Sequence, residues 1–84
     1  MTQKQADLLV SALKKRFGGK TEFEPVNTKG RYRFAITSRR FDAMSQLRRQ
    51  DEVWKVVDRV LPREAMLDIS TILAYAPADL ATVK

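Results

Sequence analysis

Between residues 29 and 49 the chain carries Lys29, Arg31, Arg33, Arg39, Arg40, Arg48 and Arg49 against a single acid, Asp42. The formal net charge of the whole chain is +6, and this quarter of the sequence holds all of that excess. The planar donor fork of arginine matches phosphate oxygens, so a local concentration of this kind is what a polyanion-binding surface requires. The competing reading is a solvated basic face that keeps a small protein soluble. Other chemistry is removed by what the chain lacks. With no cysteine and no histidine in 84 residues, zinc fingers, Ser-His-Asp and Cys-His catalysis and imidazole ligation are excluded. The acid pairs Glu22/Glu24 and Asp51/Glu52 have no nucleophile or base to work with, so no enzymatic activity is expected. Gly18-Gly19-Lys20 lacks phosphate-loop spacing and reads as a helix stop.

The elements that must position these arginines emerge from the spacing of apolar residues. Thr2 is a natural helix cap, and Ala6, Leu9, Val10, Leu13 and Phe17 share one helical face, which predicts a helix over about 3–17. Residues 21–26 read as a short strand near a sheet edge because of Pro25. After turn chemistry at 27–30, Tyr32, Phe34 and Ile36 alternate with Arg31 and Arg33, a half-buried strand over 31–37. The two strands form a hairpin. Ser38 caps the next segment, where Phe41, Met44 and Leu47 make a short apolar stripe. Val53, Val56, Val57, Val60 and Leu61 then mark a strong helix opened by Asp51 and Glu52 and ended by Pro62. The spacing predicts either two helices meeting near 49–51 or one bent helix. Residues 66–75 read as a third strand closed by Pro77.

A chain of this size supports one domain, here residues 1–84, and 44% hydrophobic residues suffice for a folded core. No apolar run approaches the length of a signal or spanning segment, so a soluble cytoplasmic protein without membrane association is expected. The fold class is α+β, in the order helix–strand–strand–helix–helix–strand. Helices in the crossover make the second and third strands parallel, giving a three-stranded mixed sheet with the helices packed on one face.

This order, and the stretch from Arg31 to Pro77, resembles the BolA family, whose fold is close to the type II KH architecture. The resemblance is carried by the strand ending Ile36-Thr37-Ser38, by Phe41 three residues later, by Leu47, Arg49, Val53 and Trp54 on the helices, and by the alternating strand before Pro77. It implies a non-enzymatic regulator, with roles in nucleic-acid binding and in iron–sulfur handling beside monothiol glutaredoxins. The second role depends on histidines in the family, and here the chain departs. Gln50 follows Arg49 where the family's Arg-His motif puts histidine, and Asp68 stands at the histidine opening the last strand. A glutamine amide is a poor iron ligand and an aspartate a hard one, so no metal cluster or other cofactor is expected.

A KH domain grips single strands with a GXXG loop between helices, but 48–51 is Arg-Arg-Gln-Asp, without glycine. With Asp51 and Glu52 at its start, the following helix is a poor reader of bases. The expected nucleic-acid contacts, to DNA or RNA, are therefore the arginines themselves: Arg39 and Arg40 before the helix, Arg48 and Arg49 at the junction, and Arg31 and Arg33 across the open sheet face. Trp54 and the Tyr32/Phe34/Ile36 row read as core rather than base-stacking groups. The alternative function is a BolA-like adaptor for a protein partner, without cluster chemistry.

Overall fold

In the computed structural model, residues 1–26 and 30–81 are described. Helix α1 (Gln3–Phe17) opens on a capping box: the Gln5 N–H donates to Thr2 Oγ1 at 3.1 Å and the Thr2 N–H to Gln5 Oε1 at 2.9 Å. Ala6, Leu9, Leu13 and Phe17 form its buried stripe. Lys14, Lys15 and Arg16 occupy the last turn, and Gly18, at φ +69°, returns its N–H to the Lys14 carbonyl at 2.7 Å. Strand β1 (Lys20–Val26) pairs antiparallel with β2 (Arg31–Thr37), with Phe23 opposite Phe34. Strand β3 (Ile69–Tyr75) joins β2 in parallel, in the sheet order β1-β2-β3. Phe34, Ile36, Ile72 and Ala74 share one core with the buried faces of the helices, so the helices cover one sheet face and leave the other open. This is the α+β arrangement expected, with the first two strand positions recovered. Most of the expected 27–30 turn falls outside the described residues.

The central region differs from expectation. A 3-10 turn (Arg39–Phe41) follows β2, and then a single helix α2 (Gln46–Val60) runs unbroken through residues 49–51. The helix is capped by Ser45, whose Oγ accepts the Arg48 N–H at 3.2 Å. The junction that one of the two expected alternatives put near 49–51 thus falls before Ser45, and Asp51 and Glu52 lie in the second turn, where Lys55 pairs with both and Arg16 of α1 meets Glu52 at 3.1 Å. Leu47 is 83% exposed and does not continue the Phe41 and Met44 stripe. After Pro62 comes a short helix α3 (Arg63–Met66), with Ala65 in the core, and the last strand begins at Ile69, three residues later than the expected start at 66. Beyond β3, Pro77 begins a terminal turn of helix, α4 (Pro77–Ala81).

Candidate nucleic-acid interface

The sheet divides the arginine group. Strand β2 alternates, so Phe34 and Ile36 face the core while Arg31, Arg33, Ala35 and Thr37 share the open face. Arg31 begins the strand, beside the start of β3, where the Tyr32 N–H donates to the Asp68 carbonyl at 2.8 Å. Arg39 and Arg40 follow the other end of β2. Seven residues at about 3.3 Å each separate these sites by roughly 20 Å. Between them, Arg33 pairs across the hairpin with Glu24. With Glu22 also on this face, opposite Ala35, the open sheet is mixed in sign.

Arg49 leaves the surface altogether and is not available as a phosphate contact. It is 5% exposed. Its Nε donates to the Phe41 carbonyl at 3.0 Å and to the Met44 carbonyl at 3.1 Å. Its Nη1 donates to the Ala74 carbonyl at 3.3 Å and to Asp79 at 2.6 Å, and the guanidinium carbon lies 5.9 Å from the Phe41 ring centre. Asp79 also accepts the Ala76 N–H at 2.9 Å. The Arg49 hydrogen bond, then that of Ala76, holds the Asp79 carboxyl below its ordinary value of 3.8, against a smaller opposing effect of desolvation. Arg49 is thus a tie among the 3-10 turn, α2, β3 and α4. Nothing in the charge pattern signals this role. The helical spacing Arg49, Val53, Val56 and Val60 does, since it puts an arginine on the apolar stripe.

Three arginines remain exposed at one end of the sheet. Arg39 and Arg40 sit on the 3-10 turn between two buried anchors. On one side the Ser38 hydroxyl, 2% exposed, donates to the Phe17 carbonyl at 2.6 Å and accepts the Arg40 N–H at 3.1 Å. On the other, Phe41 is fully buried with its ring 5.0 Å from that of Phe17. Arg48 is exposed in the first turn of α2, next to the Arg49 tie and hence at the same end. Among the described residues none of these three side chains has an ion-pair partner, and neither has Arg31. Between the 3-10 turn, Pro77 and the α1–β1 turn lies a cleft of about 460 Å³, to which Gly19, Lys20, Arg39 and Arg40 contribute and, among the described residues, no carboxylate does. Gly19 is obligatory here: its φ is +67°, and a Cβ would stand 2.0 Å from the Thr37 carbonyl oxygen. Lys20 is exposed, with Glu22 at 3.7 Å. The first turn of α2 presents Leu47 and Arg48 rather than acids, which corrects the expectation that Asp51 and Glu52 open this helix.

The aromatic residues serve the core, as expected. Trp54 is half-buried against it, and its Nε1 donates to Gln50 Oε1 at 3.3 Å. The amide of Gln50 donates in turn to the Ile72 carbonyl at 2.8 Å on the edge strand, while Asp68 pairs with the Met1 ammonium. The groups at the two positions where the BolA resemblance calls for histidine are hard or poor donors and already hold structural partners, so they do not fit an iron–sulfur cluster. Among the described residues no three potential ligands of the His, Cys, Asp and Glu types gather into a metal site, and no helix is long and apolar enough to cross a membrane.

No protein-family model matches the sequence, and a search of curated proteins finds no match. Solved structures do match. BolA1 from Arabidopsis thaliana superposes with a TM-score of 0.71 at 16% identity, covering 93% of this chain and 98% of its own. The BolA domain of SufE1 from the same plant superposes with a TM-score of 0.67 at 17% identity, covering 94% and 98%. The fold is therefore BolA-like.

Proposed function

From a BolA-like fold that has neither histidine nor cysteine, we propose that this chain is a small non-catalytic binding module that contacts nucleic acid through the cationic end of its sheet. The observation that supports the reading is a cleft bordered by Lys20, Arg39 and Arg40 and lined by no carboxylate among the described residues, with Arg48 exposed in the first turn of α2 and, like Arg39 and Arg40, without an acidic partner among those residues. Arg31 extends the contact only for a ligand that spans the sheet, and Arg33 must first leave Glu24. Phosphate contacts made by side chains at strand and helix ends position a backbone without reading bases, so sequence preference should be weak.

The test is the salt dependence of binding to a fluorescein-labelled oligonucleotide. Neutralising three to four phosphates gives a slope of log K against log salt near −3 on duplex DNA. A slope near zero would contradict the proposal. One observation favours the second reading, a protein-interaction adaptor: Leu73 lies on the open sheet face, 36% exposed, in register with Ala35. Retention of a protein partner by a variant that has lost oligonucleotide binding would establish it.

A further inference from the structure

The cleft at the strand ends has features that contact with a passing backbone does not require. Lys20 comes from β1 and Arg39 and Arg40 from the 3-10 turn, so three cations from two segments border one volume. The absent side chain of Gly19 lets the α1–β1 turn lie directly against the end of β2. Of the acids two residues from its walls, Glu22 lies on the open sheet face with its carboxylate 3.7 Å from Lys20, Asp79 is held by Arg49 and Ala76, and Asp42 is exposed just past the 3-10 turn; among the described residues none of the three lines the cleft. The 3-10 turn is fixed on both sides by Ser38 and Phe41, so its two guanidinium groups start from a fixed backbone.

Resting on the nucleic-acid reading above, we propose that this cleft holds the terminal phosphate of a strand, a phosphate monoester. An internal phosphodiester carries one charge and is tethered on two sides. A terminal phosphate carries about −1.5 to −2 at pH 7 and presents three free oxygens. The higher charge and free oxygens of the second suit a recess bordered by Arg39, Arg40 and Lys20, the last shared with Glu22. A volume of about 460 Å³ is larger than a phosphate group and leaves room for the terminal sugar against Pro77. Arg48, outside the cleft lining, contacts the backbone that leads away from the end.

The experiment compares three unlabelled single strands of one sequence, ending in hydroxyl, 5′-phosphate or 3′-phosphate, as competitors at fixed salt. Inorganic phosphate and a phosphoserine peptide complete the set. One of the terminal phosphates is expected to tighten binding about tenfold over the hydroxyl strand, in line with charge-assisted hydrogen bonds. The gain should grow from pH 5.5 to 7.5 as the second phosphate proton leaves near pH 6. The chain has no histidine or cysteine to titrate in that range. Arg39→Ala with Arg40→Ala should abolish the gain, whereas Arg48→Ala should weaken all three strands by one factor and preserve it. Equal binding of the three strands would overturn this inference and leave the nucleic-acid reading standing. Failure of every strand to bind would overturn both. Competition by inorganic phosphate as effective as by the strands, or tighter binding of the phosphoserine peptide, would overturn the assignment to a strand end.

Discussion

Replacing Arg49 with alanine separates a structural arginine from a binding one. The substitution removes donors from three carbonyls, those of Phe41, Met44 and Ala74, and from the Asp79 carboxylate. Breaking a fully buried ion pair costs about 3–5 kcal/mol, and hydrogen bonds to charged groups about 1.5–3 each. Asp79 is 39% exposed, so water can replace part of what it loses, which lowers the upper bound. A cost of about 2–4 kcal/mol results, a large fraction of the total of about 4–13 expected for a chain of this length. In a thermal melt this is a fall of roughly 10–25 °C. Arg48→Ala, one residue earlier but exposed, is the internal control and should stay within about 0.5 kcal/mol of the parent. Urea melts of the three proteins read both values, with the m-value reporting whether the native state stayed compact. A cost for Arg49→Ala no larger than that for Arg48→Ala would refute the reasoning, because the buried network would then contribute nothing.

Three further outcomes rest on the same geometry. Gly19→Ala places a Cβ 2.0 Å from a backbone oxygen at positive φ and should cost about 2–4 kcal/mol in a urea melt; Gly30→Ala, also at positive φ but with open space, should cost about 1–2. Asp79 has a folded pKa below its unfolded one, so its contribution is present above pH 4 and lost as pH falls through the lowered value; Asp79→Asn should therefore be less stable than the parent at pH 5–8 by a constant amount that shrinks below about pH 4. Thr21→Val should raise stability by about 1 kcal/mol, since the buried Thr21 Oγ1 has no hydrogen-bond partner among the described residues.

Periodicity makes the outer elements legible. The 3.6-residue stripe of α1 and the alternation of β2 each report which face is buried, and the Thr2 and Gly18 signals bound the first helix closely. The middle of the chain misleads for one physical reason. The apolar stripe of α2 is completed at its start by the aliphatic stem and buried guanidinium of Arg49, so a hydrophobic count begins the helix about two turns too late, at Val53. The same residue counts among the surface charges in sequence because composition does not distinguish a solvated arginine from one satisfied by carbonyls. The early start expected for β3 comes from Met66 and Leu67, yet Pro62 favours a helical turn after it, and Leu67 is 73% exposed. The grouping of Lys20 with Arg39 and Arg40 is invisible in one dimension: it arises from the hairpin register, which sets Lys20 opposite Thr37.

The most direct test asks whether phosphate binding is local to one end of the sheet. Arg39→Glu with Arg40→Glu, and Arg48→Glu, are compared with Lys4→Glu and Arg63→Glu, which lie at the opposite end, where α1 and α3 begin. All four sets of positions are exposed, so each protein should melt like the parent. The measurement is the slope of log K against log salt for duplex DNA, by fluorescence anisotropy. A slope near −3 is expected for the parent and for both opposite-end variants, flattened by about one unit for each arginine lost at the cleft end. Equal flattening by the cleft-end and opposite-end variants would mean diffuse attraction without a site, and would contradict binding at the cleft.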